Sequence, residues 1–547
     1  MTGVEESSTD SCAEWFGMKM SSARNAFTEQ RNEWSSDPTT LQEKSARFYR
    51  FQRAFKADPT FYATCRTHFD AIAELEPKLL ETTAETLSDA EKESYSELLF
   101  FGSLMKPFNF IPMFLPLWSA LRVYLLPGLS FLFPILTLIA PYILLVFIFK
   151  APITFKGYLN LLHSMTSGNV QGILDPVTAV TGVTGVTAET STLPTAEIPA
   201  FALGKQTAIV LVTLVQGIVQ PYWTYQHLHS VDTMICEHGA RVQSFRDHYE
   251  ALSTELSAHG FTFFTCPFPE KNHTTRMAAA NGIFHAPYLQ LALKQVGRLE
   301  ALMTLAHHPD TYPVQWVKAP HPVFRLSDTY DYFVPAEHRK SVSIQLDRAH
   351  GTHALLTGPN KGGKSTVLRA ISMSAELAHT YGCSIGRLTA TPFSKLFVCL
   401  KPDDLPGSKS RFEREIEFTA STLRSGTAST APILILIDEL YHSTNPPDAL
   451  RSCEIYSQSL WSPDMKAASV ISTHLFEWVE QAPASIQRIC CPALSLPNGA
   501  VHFHYELRPG VCTVSSVDSL LHKNGMPIRK GTACAKGTAC AKGTACA

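Results

Sequence analysis

The sequence has 547 residues, which is too long for one ordinary domain and indicates roughly three to four folded units. Its formal net charge of −2 at pH 7 excludes a polycationic protein, so any affinity for nucleic acid must come from a local patch. The 13 cysteines contain no CxxC pair, which argues against a zinc site and is typical of a reducing compartment. The acidic, polar start of the chain is not typical of a secretory or transit peptide.

The N-terminal part is predicted to be helical. Residues 1–20 have the composition of a disordered leader, and residues 21–103 are rich in helix formers. Within residues 41–56, basic side chains recur every third position with aromatic residues between them. This spacing drifts around a helix. The segment therefore either contacts phosphates or anionic headgroups, or is a solvated helix face beside a buried aromatic face, and the second interpretation is favoured.

An apolar block follows at residues 108–149, where Arg122 is the only charged residue. A membrane-spanning helix needs about 20 apolar residues, so the length predicts a transmembrane hairpin over residues 104–150 that turns at residues 122–128. Basic residues flank the block on both sides and favour two cytoplasmic ends: Lys106, Lys150 and Lys156. A buried apolar helical pair and a membrane-surface hairpin are the alternatives.

The middle of the chain alternates between low-complexity and helical character. Residues 151–205 include a Thr/Val/Gly/Ala tract that predicts a flexible linker. Residues 206–226 carry no charged residue and fit either a further membrane span or a core helix. Residues 227–313 return to polar helices, interrupted by a Phe/Pro-rich loop at residues 260–275.

The C-terminal part alternates between strand and helix patterns over residues 314–527, which predicts an α/β domain with a parallel sheet flanked by helices. The last residues, 528–547, contain Lys-Gly-Thr-Ala-Cys-Ala three times and are interpreted as a low-complexity tail outside the fold.

A glycine-rich stretch, Gly358-Pro-Asn-Lys-Gly-Gly-Lys-Ser-Thr366, is the strongest functional signal. It follows a strand-like run and precedes a helix-like run, as a P-loop does. In such a loop the backbone N–H groups surround phosphate oxygens. Lys364 would contact the β- and γ-phosphates of ATP, and the Ser365 hydroxyl would bind Mg²⁺. The sequence thus predicts an α/β P-loop NTPase domain, preceded by an all-α region with transmembrane helices.

The ends of two further predicted strands contain the other candidate catalytic and metal-binding residues. An apolar run, Ile433-Leu-Ile-Leu-Ile437, leads to Asp438 and Glu439. A parallel strand of this kind delivers such carboxylates to its carboxyl edge, where Asp438 would hold Mg²⁺ and Glu439 would orient or activate the attacking water. Another strand ends at His474, which could contact the γ-phosphate or the water, or be structural.

These motifs together resemble the MutS DNA mismatch-repair ATPases. The loop differs by one residue from the Gly-Pro-Asn-Met-Gly-Gly-Lys-Ser-Thr loop of that family, and the family's other motifs follow in order over about 210 residues. The matching segments are His321-Pro322, Asp403-Asp-Leu405, Ser410-Arg-Phe-Glu-Arg-Glu415, Asp438-Glu-Leu440, Ser472-Thr-His474, Tyr505 to Val511 and residues 520–527.

The resemblance implies a dimer of ATPase domains with composite ATP sites that need Mg²⁺. Catalysis is assigned to Glu439, Lys364 and His474, and the metal to Ser365 and Asp438. The implied nucleotide contacts are Gly358, Pro359, Asn360, Lys361, Gly362, Gly363, Lys364, Ser365 and Thr366 in one subunit, with Ser410 of the neighbouring subunit acting in trans. The partner is a second copy or a related ATPase, and binding of DNA, mismatched DNA included, is implied by the resemblance alone.

The sequence departs from that family in two places. After Asp438-Glu439 only Thr444 and Asp448 keep the family's register, which puts the dimer interface in doubt. No Phe-x-Glu mismatch-reading segment is found within a recognisable N-terminal domain, and the apolar block stands where the family has a DNA clamp. We therefore predict a membrane-associated MutS-type Mg-ATPase, with its ATPase domain on the cytosolic or nuclear side. The alternatives are a transport ATPase with fused membrane helices, which would need a Leu-Ser-Gly-Gly-Gln segment before Asp438, and a nucleotide-dependent interaction protein.

Overall fold

The computed structural model describes residues 12–160, 200–265, 267, 274–400, 410–496, 501–515, 517 and 521. Residues 1–11, the central part of the predicted linker, the Asp403-Asp-Leu405 segment and the repeat tail lie outside these residues. The predicted disordered leader is wrong for residues 12–20, because residues 12–16 are helical and Cys12, Phe16 and Met18 are buried. The described chain forms two compact units. Unit 1 contains the N-terminal residues up to 73, residues 254–264 and everything from residue 293, and unit 2 contains residues 74–253 and 265–292.

Helices dominate the first 310 residues. They are α1 (Ser21–Gln30), α2 (Pro38–Ala57), α3 (Pro59–Glu81), α4 (Asp89–Ser96), α5 (Phe114–Ser119), α6 (Leu126–Ile143), α7 (Ala200–Ala258), α8 (Thr275–Phe284) and α9 (Ala286–His307). The Phe/Pro-rich loop predicted at residues 260–275 lies between α7, which ends at Ala258, and α8, which begins at Thr275. None of the described residues between these two helices is helical.

Strands and helices alternate from Thr311 onward, as the pattern predicted. The strands are β1 (Thr311–Pro313), β2 (Gln315–Trp316), β3 (Phe324–Thr329), β4 (Val342–Leu346), β5 (His353–Thr357), β6 (Cys383–Ile385), β7 (Arg387–Ala390), β8 (Lys395–Cys399), β9 (Ile433–Ile437), β10 (Ala467–Ser472), β11 (Gln487–Cys490), β12 (Ala493–Ser495), β13 (Val501–Phe503) and β14 (Arg508–Pro509). The helices between them are α10 (Lys364–Tyr381), α11 (Arg411–Ala428), α12 (Pro446–Leu460) and α13 (Phe476–Gln481).

The central sheet of unit 1 has six strands in the order β14-β11-β5-β10-β9-β8. Strands β11, β5, β10, β9 and β8 run parallel, whereas β14 is antiparallel to β11, so the sheet is mixed. Every residue of β5, β9 and β10 is buried, as expected for strands that are covered on both faces. A second sheet, in the order β2-β7-β3-β4, shares a hydrophobic core with it.

Helix α2 tests the two interpretations of the basic and aromatic segment. Its aromatic side chains Phe48, Phe51 and Phe55 are buried, and Arg50 lies over the Phe261 ring with its guanidinium donating to the Gly260 carbonyl. The aromatic face therefore packs into unit 1, as the favoured interpretation requires.

The N-terminal helices of unit 1 also contact the far end of α10. The Trp34 ring stacks on the His379 ring with centroids 3.9 Å apart, and Trp34 Nε1 donates to the Phe393 carbonyl at 3.0 Å. His379 Nδ1 lies 2.8 Å from the Ser35 carbonyl, and burial lowers the pKa of His379 to about 3, so this ring is neutral at pH 7. The sequence pattern did not predict this contact between distant parts of the chain.

Unit 2 corrects the predicted hairpin. Helices α5 and α6 are joined by a π-helical turn at Ala120–Leu125, and a second π-helical turn at Leu144–Ile148 extends α6. The chain is thus helical from Phe114 to Ile148, and the turn predicted at residues 122–128 is wrong. Pro127, the second residue of α6, lies just after the π-helical turn, and the helix continues through it, so the proline that composition had assigned to a turn does not end the helix.

One helical stretch of the described residues, Phe114–Leu132, is long and apolar enough to cross a membrane, and a shorter apolar stretch, Ile139–Ile148, lies farther along the same run. The predicted segment at residues 206–226 is part of the long helix α7. Its described side chains Ile218, Tyr222 and Trp223 are exposed, which does not fit the core-helix alternative.

Candidate nucleotide site

The glycine-rich loop connects β5 to α10, with the predicted strand before it and the predicted helix after it. Gly363 caps α10 with φ of 99°, a left-handed conformation that side chains other than glycine rarely adopt. A Cβ atom on Gly358 would lie 3.0 Å from the Cys491 carbonyl oxygen. Both glycines are therefore required by the backbone path itself.

Within the loop, Gly362 N donates to the Pro359 carbonyl at 3.0 Å, and Asn360 and Lys361 are exposed. Lys361 has φ of 67° and Gly358 has φ of 152°, so both residues adopt a positive φ, as the helix cap Gly363 does. Thr366 accepts a long hydrogen bond of 3.4 Å from Arg369 and lies on the first turn of α10. The predicted loop residues are thus brought together around one concave stretch of backbone.

Lys364 is buried, with its ammonium group turned into the loop. Its Nζ donates to the Gly358 carbonyl at 3.0 Å and to the Pro359 carbonyl at 3.3 Å, and it lies 3.1 Å from His474 Nε2. Burial lowers the pKa of Lys364, and the nearby carboxylates of Glu439 and Asp438 oppose this shift. A buried cation that is held by carbonyls and faces two acids is suited to contact a phosphate.

Asp438 is held by two hydroxyl groups. Ser365 Oγ donates to its Oδ2, and Ser472 Oγ donates to its Oδ1. The first bond joins the start of α10 to the end of β9, and it brings together the two residues that the sequence predicted as Mg²⁺ ligands. The part of the chain that the structure describes contains no group of three or more His, Cys, Asp and Glu side chains that could hold a metal. A serine hydroxyl beside a carboxylate nevertheless fits Mg²⁺, which keeps several waters and binds few protein ligands alongside phosphate oxygens.

Glu439 and His474 lie beside this pair. His474 Nε2 is 3.3 Å from Glu439 Oε1, and this contact lowers the pKa of Glu439. Glu439 has φ of 53°, and its backbone N–H donates to Ser472 Oγ at 2.8 Å. The residues come from three adjacent strands, because β5, β10 and β9 are neighbours and all end at the same edge of the sheet. The sequence did not identify Ser472 as the residue that supports both Asp438 and Glu439.

Ser410 is the exposed N-cap of α11. Its Oγ accepts from the Glu413 backbone N–H at 3.2 Å, and the Glu413 carboxylate accepts from the Ser410 N–H at 2.9 Å, which forms a capping box. The predicted role of Ser410 in a neighbouring subunit stays a prediction. In the divergent segment, Asp448 is also part of a helix start, since its N–H donates to Asn445 at the beginning of α12.

A cavity of about 550 Å³ adjoins the loop and was not predicted from the sequence. Its walls combine apolar surface, an aromatic ring from the C-terminal segment and polar side chains from the β3–β4 connection. They include Val334, Pro335, His338, Val367, Gly363 and Tyr505. Tyr505 comes closest to the loop: a Cβ atom on Gly363 would lie 3.5 Å from its ring. Its position could not be derived from spacing, because it belongs to a segment about 140 residues after the loop.

These features define an α/β domain whose candidate site lies at the carboxyl edge of a largely parallel sheet, beside a glycine-rich loop. Residues 354–529 match the family model of MutS domain V. The match begins in β5 and includes the loop, Asp438, Glu439 and His474. The C-terminal domain is thus similar to domain V of the MutS family, which is the family that the motifs predicted.

Proposed function

We propose that this protein is a Mg²⁺-dependent ATPase of the MutS family, in which binding and hydrolysis of ATP drive a conformational change. The observation that carries the proposal is the joining of Ser365 to Asp438 and of His474 to Glu439 at one sheet edge, next to the loop that holds Lys364. Hydrolysis of ATP needs a phosphate cradle, a cation site and a base in this proximity.

Each side chain has a role that follows from its position. Backbone N–H groups of the loop and the Lys364 ammonium would bind the phosphates, which replaces the two carbonyl contacts that Lys364 makes within the loop. Ser365 and Asp438 would hold Mg²⁺, which supplies charge neutralisation at the phosphate oxygens when bound. Glu439, ionised at neutral pH, would orient the attacking water and accept its proton.

His474 links the phosphate side and the water side of the site. Its Nε2 faces both Lys364 Nζ and Glu439 Oε1. A neutral ring nitrogen accepts from lysine or donates to a carboxylate, but one nitrogen does not do both at once. Movement of Lys364 towards a phosphate would therefore release His474 to hydrogen-bond Glu439, so nucleotide binding would itself position the base.

The cavity beside the loop is proposed to take the adenine and ribose of ATP. Its walls are mainly apolar with a few polar groups, which is typical of small-molecule sites. Its volume of about 550 Å³ lies within the range of about 300–1,000 Å³ that is common for such sites.

MutS membership suggests dimerisation and DNA binding in general. We propose a homodimer, or a heterodimer with a related ATPase, in which Ser410 of one subunit completes the site of the other. DNA is proposed as an effector of the ATPase, and direct reading of mismatches is not proposed, because the sequence has no recognisable mismatch-reading N-terminal domain and its net charge is −2.

The proposal is tested by ATP binding and phosphate release with the full chain. Lys364→Ala should abolish both activities. Lys466→Ala is the matched control, because this lysine is exposed just before the amino end of β10, at the edge of the sheet opposite the candidate site, and its Nζ donates to the Thr430 carbonyl. Equal ATP affinity for Lys364→Ala and wild type would refute the site assignment.

A second comparison separates repair from transport. Phosphate release is measured with and without duplex, mismatched and branched DNA, in detergent and in liposomes. Stimulation by DNA supports the DNA-responsive ATPase, whereas a rate that responds only to liposomes supports the transport alternative.

A further inference from the structure

The helical run that begins at Phe114 has a first part that packs against unit 2 and a second part that is exposed. In its first part, Leu115, Ser119 and Val123 are buried at intervals of four residues, which is one face of a helix packed against unit 2. Ser119 Oγ donates to Asp232 of α7 at 2.8 Å, and this aspartate is paired with Arg276 at 2.6 Å. The first part is therefore an ordinary packed helix that is anchored by a buried polar network.

The second part, residues 128–149, is apolar on all sides. It contains no charged residue. Leu129, Phe131 and Leu132 point in different directions around the helix, and each of them is exposed. The exposure continues to the end of the run, where Phe147 is 74% exposed. Helices that are hydrophobic all round are buried in a large core or in a membrane, and none of the described side chains of this part is buried within the protein.

Helix α7 supplies a second segment of the same kind. Residues 206–226 carry no charged residue, and the described side chains Ile218, Val219 and Trp223 are exposed. The two helices meet within unit 2, where the rings of Tyr124 and Tyr225 have centroids 6.0 Å apart.

Aromatic and charged side chains lie at both ends of the apolar part. At the near end, Tyr124 is one turn before Gly128, and Arg122 and His227 contact Glu97 at 3.9 Å and 3.2 Å. At the far end, Lys150 directly follows the apolar part, and Phe155 and Lys156 lie a few residues farther on.

The spacing between these two ends matches a bilayer. Residues 128–149 comprise 22 positions, which correspond to about 33 Å of helix. The hydrocarbon core of a bilayer is about 30 Å thick. An interface with another protein would not require an apolar part of this length.

We propose that residues 128–149 and 206–226 are two antiparallel membrane spans, with the Glu97 cluster on one side of the bilayer and Lys156 on the other. The lipid bilayer is the partner that covers the exposed apolar surface. The buried Ser119–Asp232–Arg276 network sets the depth of insertion, because these polar groups stay outside the hydrocarbon. This arrangement replaces the hairpin predicted within residues 104–150, and it does not depend on the ATPase proposal.

Membrane insertion is tested by flotation of the full-length protein with phosphatidylcholine/phosphatidylglycerol liposomes after alkaline carbonate treatment. Wild type should float with the lipid. Replacing both Leu136 and Phe147 by arginine should reduce the floated fraction roughly tenfold or more, since each arginine is costly in hydrocarbon. Ile455→Arg is the control, because Ile455 is 59% exposed on α12. Flotation distinguishes inserted protein from aggregated protein, because aggregates do not float with the lipid. Circular dichroism of the double variant shows whether it keeps its helical content.

Wild-type protein that stays in the aqueous fraction, as a monomer or as a dimer that covers the apolar surface, would overturn the proposal. The topology is tested by labelling with a membrane-impermeant maleimide in sealed vesicles from expressing cells, read as the increase over wild type. Lys156→Cys and Glu93→Cys should differ, one labelling in intact vesicles and the other only after lysis. Equal labelling of both positions would show that the helices lie on one side and do not span.

Discussion

His474 Nε2 lies 3.3 Å from Glu439 Oε1, and the contact lowers the pKa of the Glu439 carboxyl group. The same nitrogen lies 3.1 Å from Lys364 Nζ. The phosphate-binding lysine and the proposed base are therefore connected through one ring nitrogen. Because the contact with His474 sets the pKa of Glu439, the pH dependence of hydrolysis should change when this contact is removed.

His474→Ala should move the acidic limb of the pH–rate profile to higher pH. In wild type the lowered pKa keeps Glu439 ionised below the pH at which an ordinary glutamate is protonated, so activity is lost only as the pH falls through that lowered value. Removing His474 raises the pKa towards its ordinary value. His442→Ala should give a smaller shift, because His442 lies 4.0 Å from Glu439 and is 61% exposed. The measurement is kcat/KM against pH, and identical limbs for His474→Ala and wild type would refute the coupling.

Asp438→Asn should raise the Mg²⁺ concentration needed for half-maximal activity, because the amide removes a negative charge from the proposed cation site. The reduction of activity at saturating ATP should be partly reversed by high Mg²⁺. Asp464→Asn serves as the control, since Asp464 is an exposed aspartate of the α12–β10 loop. Magnesium titration of phosphate release distinguishes the two variants, and an unchanged requirement in Asp438→Asn would exclude its role in holding the metal.

A mixture of two inactive variants tests the proposed composite site. Lys364→Ala keeps Ser410, and Ser410→Ala keeps Lys364. If Ser410 acts on the neighbouring subunit, a mixed dimer has one complete site, so mixing should restore activity that neither variant has alone. Phosphate release is followed after the subunits are allowed to exchange. A rate for the mixture equal to the average of the two variants would show that Ser410 acts within its own subunit or not at all.

Trp34→Ala should lower the stability of unit 1 by about 2–3 kcal/mol, because it removes a stacked ring and a hydrogen bond at the end of α10. Trp34→Phe, which keeps a ring but loses the N–H donor, should cost about 1 kcal/mol. Tyr49→Ala, at a side chain that is 54% exposed, should change stability by less than about 0.5 kcal/mol. Thermal unfolding midpoints of the three variants should follow this order, and equal midpoints for Trp34→Ala and Tyr49→Ala would contradict it.

Local patterns were sufficient to predict the α/β domain and much of its site. A buried parallel strand is a continuous apolar run, so β9 and the carboxylates after it were recognisable at Ile433 to Glu439. The loop between β5 and α10 was recognisable because glycine, lysine and serine at these fixed spacings are typical of a phosphate-binding loop.

Contacts between distant segments were not predictable in this way. Tyr505 reaches the loop, and Trp34 reaches His379, only because the fold brings them together. The predicted hairpin failed for a related reason: prolines in an apolar segment were taken as a turn, although the helix continues through Pro127 just after a π-helical turn. Whether a proline ends a helix depends on which backbone N–H it replaces, and composition does not contain that information.

The most direct test of the central claim is the rate of phosphate release from ATP by the full-length protein in Mg²⁺, compared between wild type and Glu439→Gln. The amide keeps the size of the side chain and removes the proposed base, so ATP should still bind while kcat falls by about 100-fold or more. The same rate of hydrolysis in both proteins, or no hydrolysis by wild type under any condition that permits ATP binding, would contradict the account.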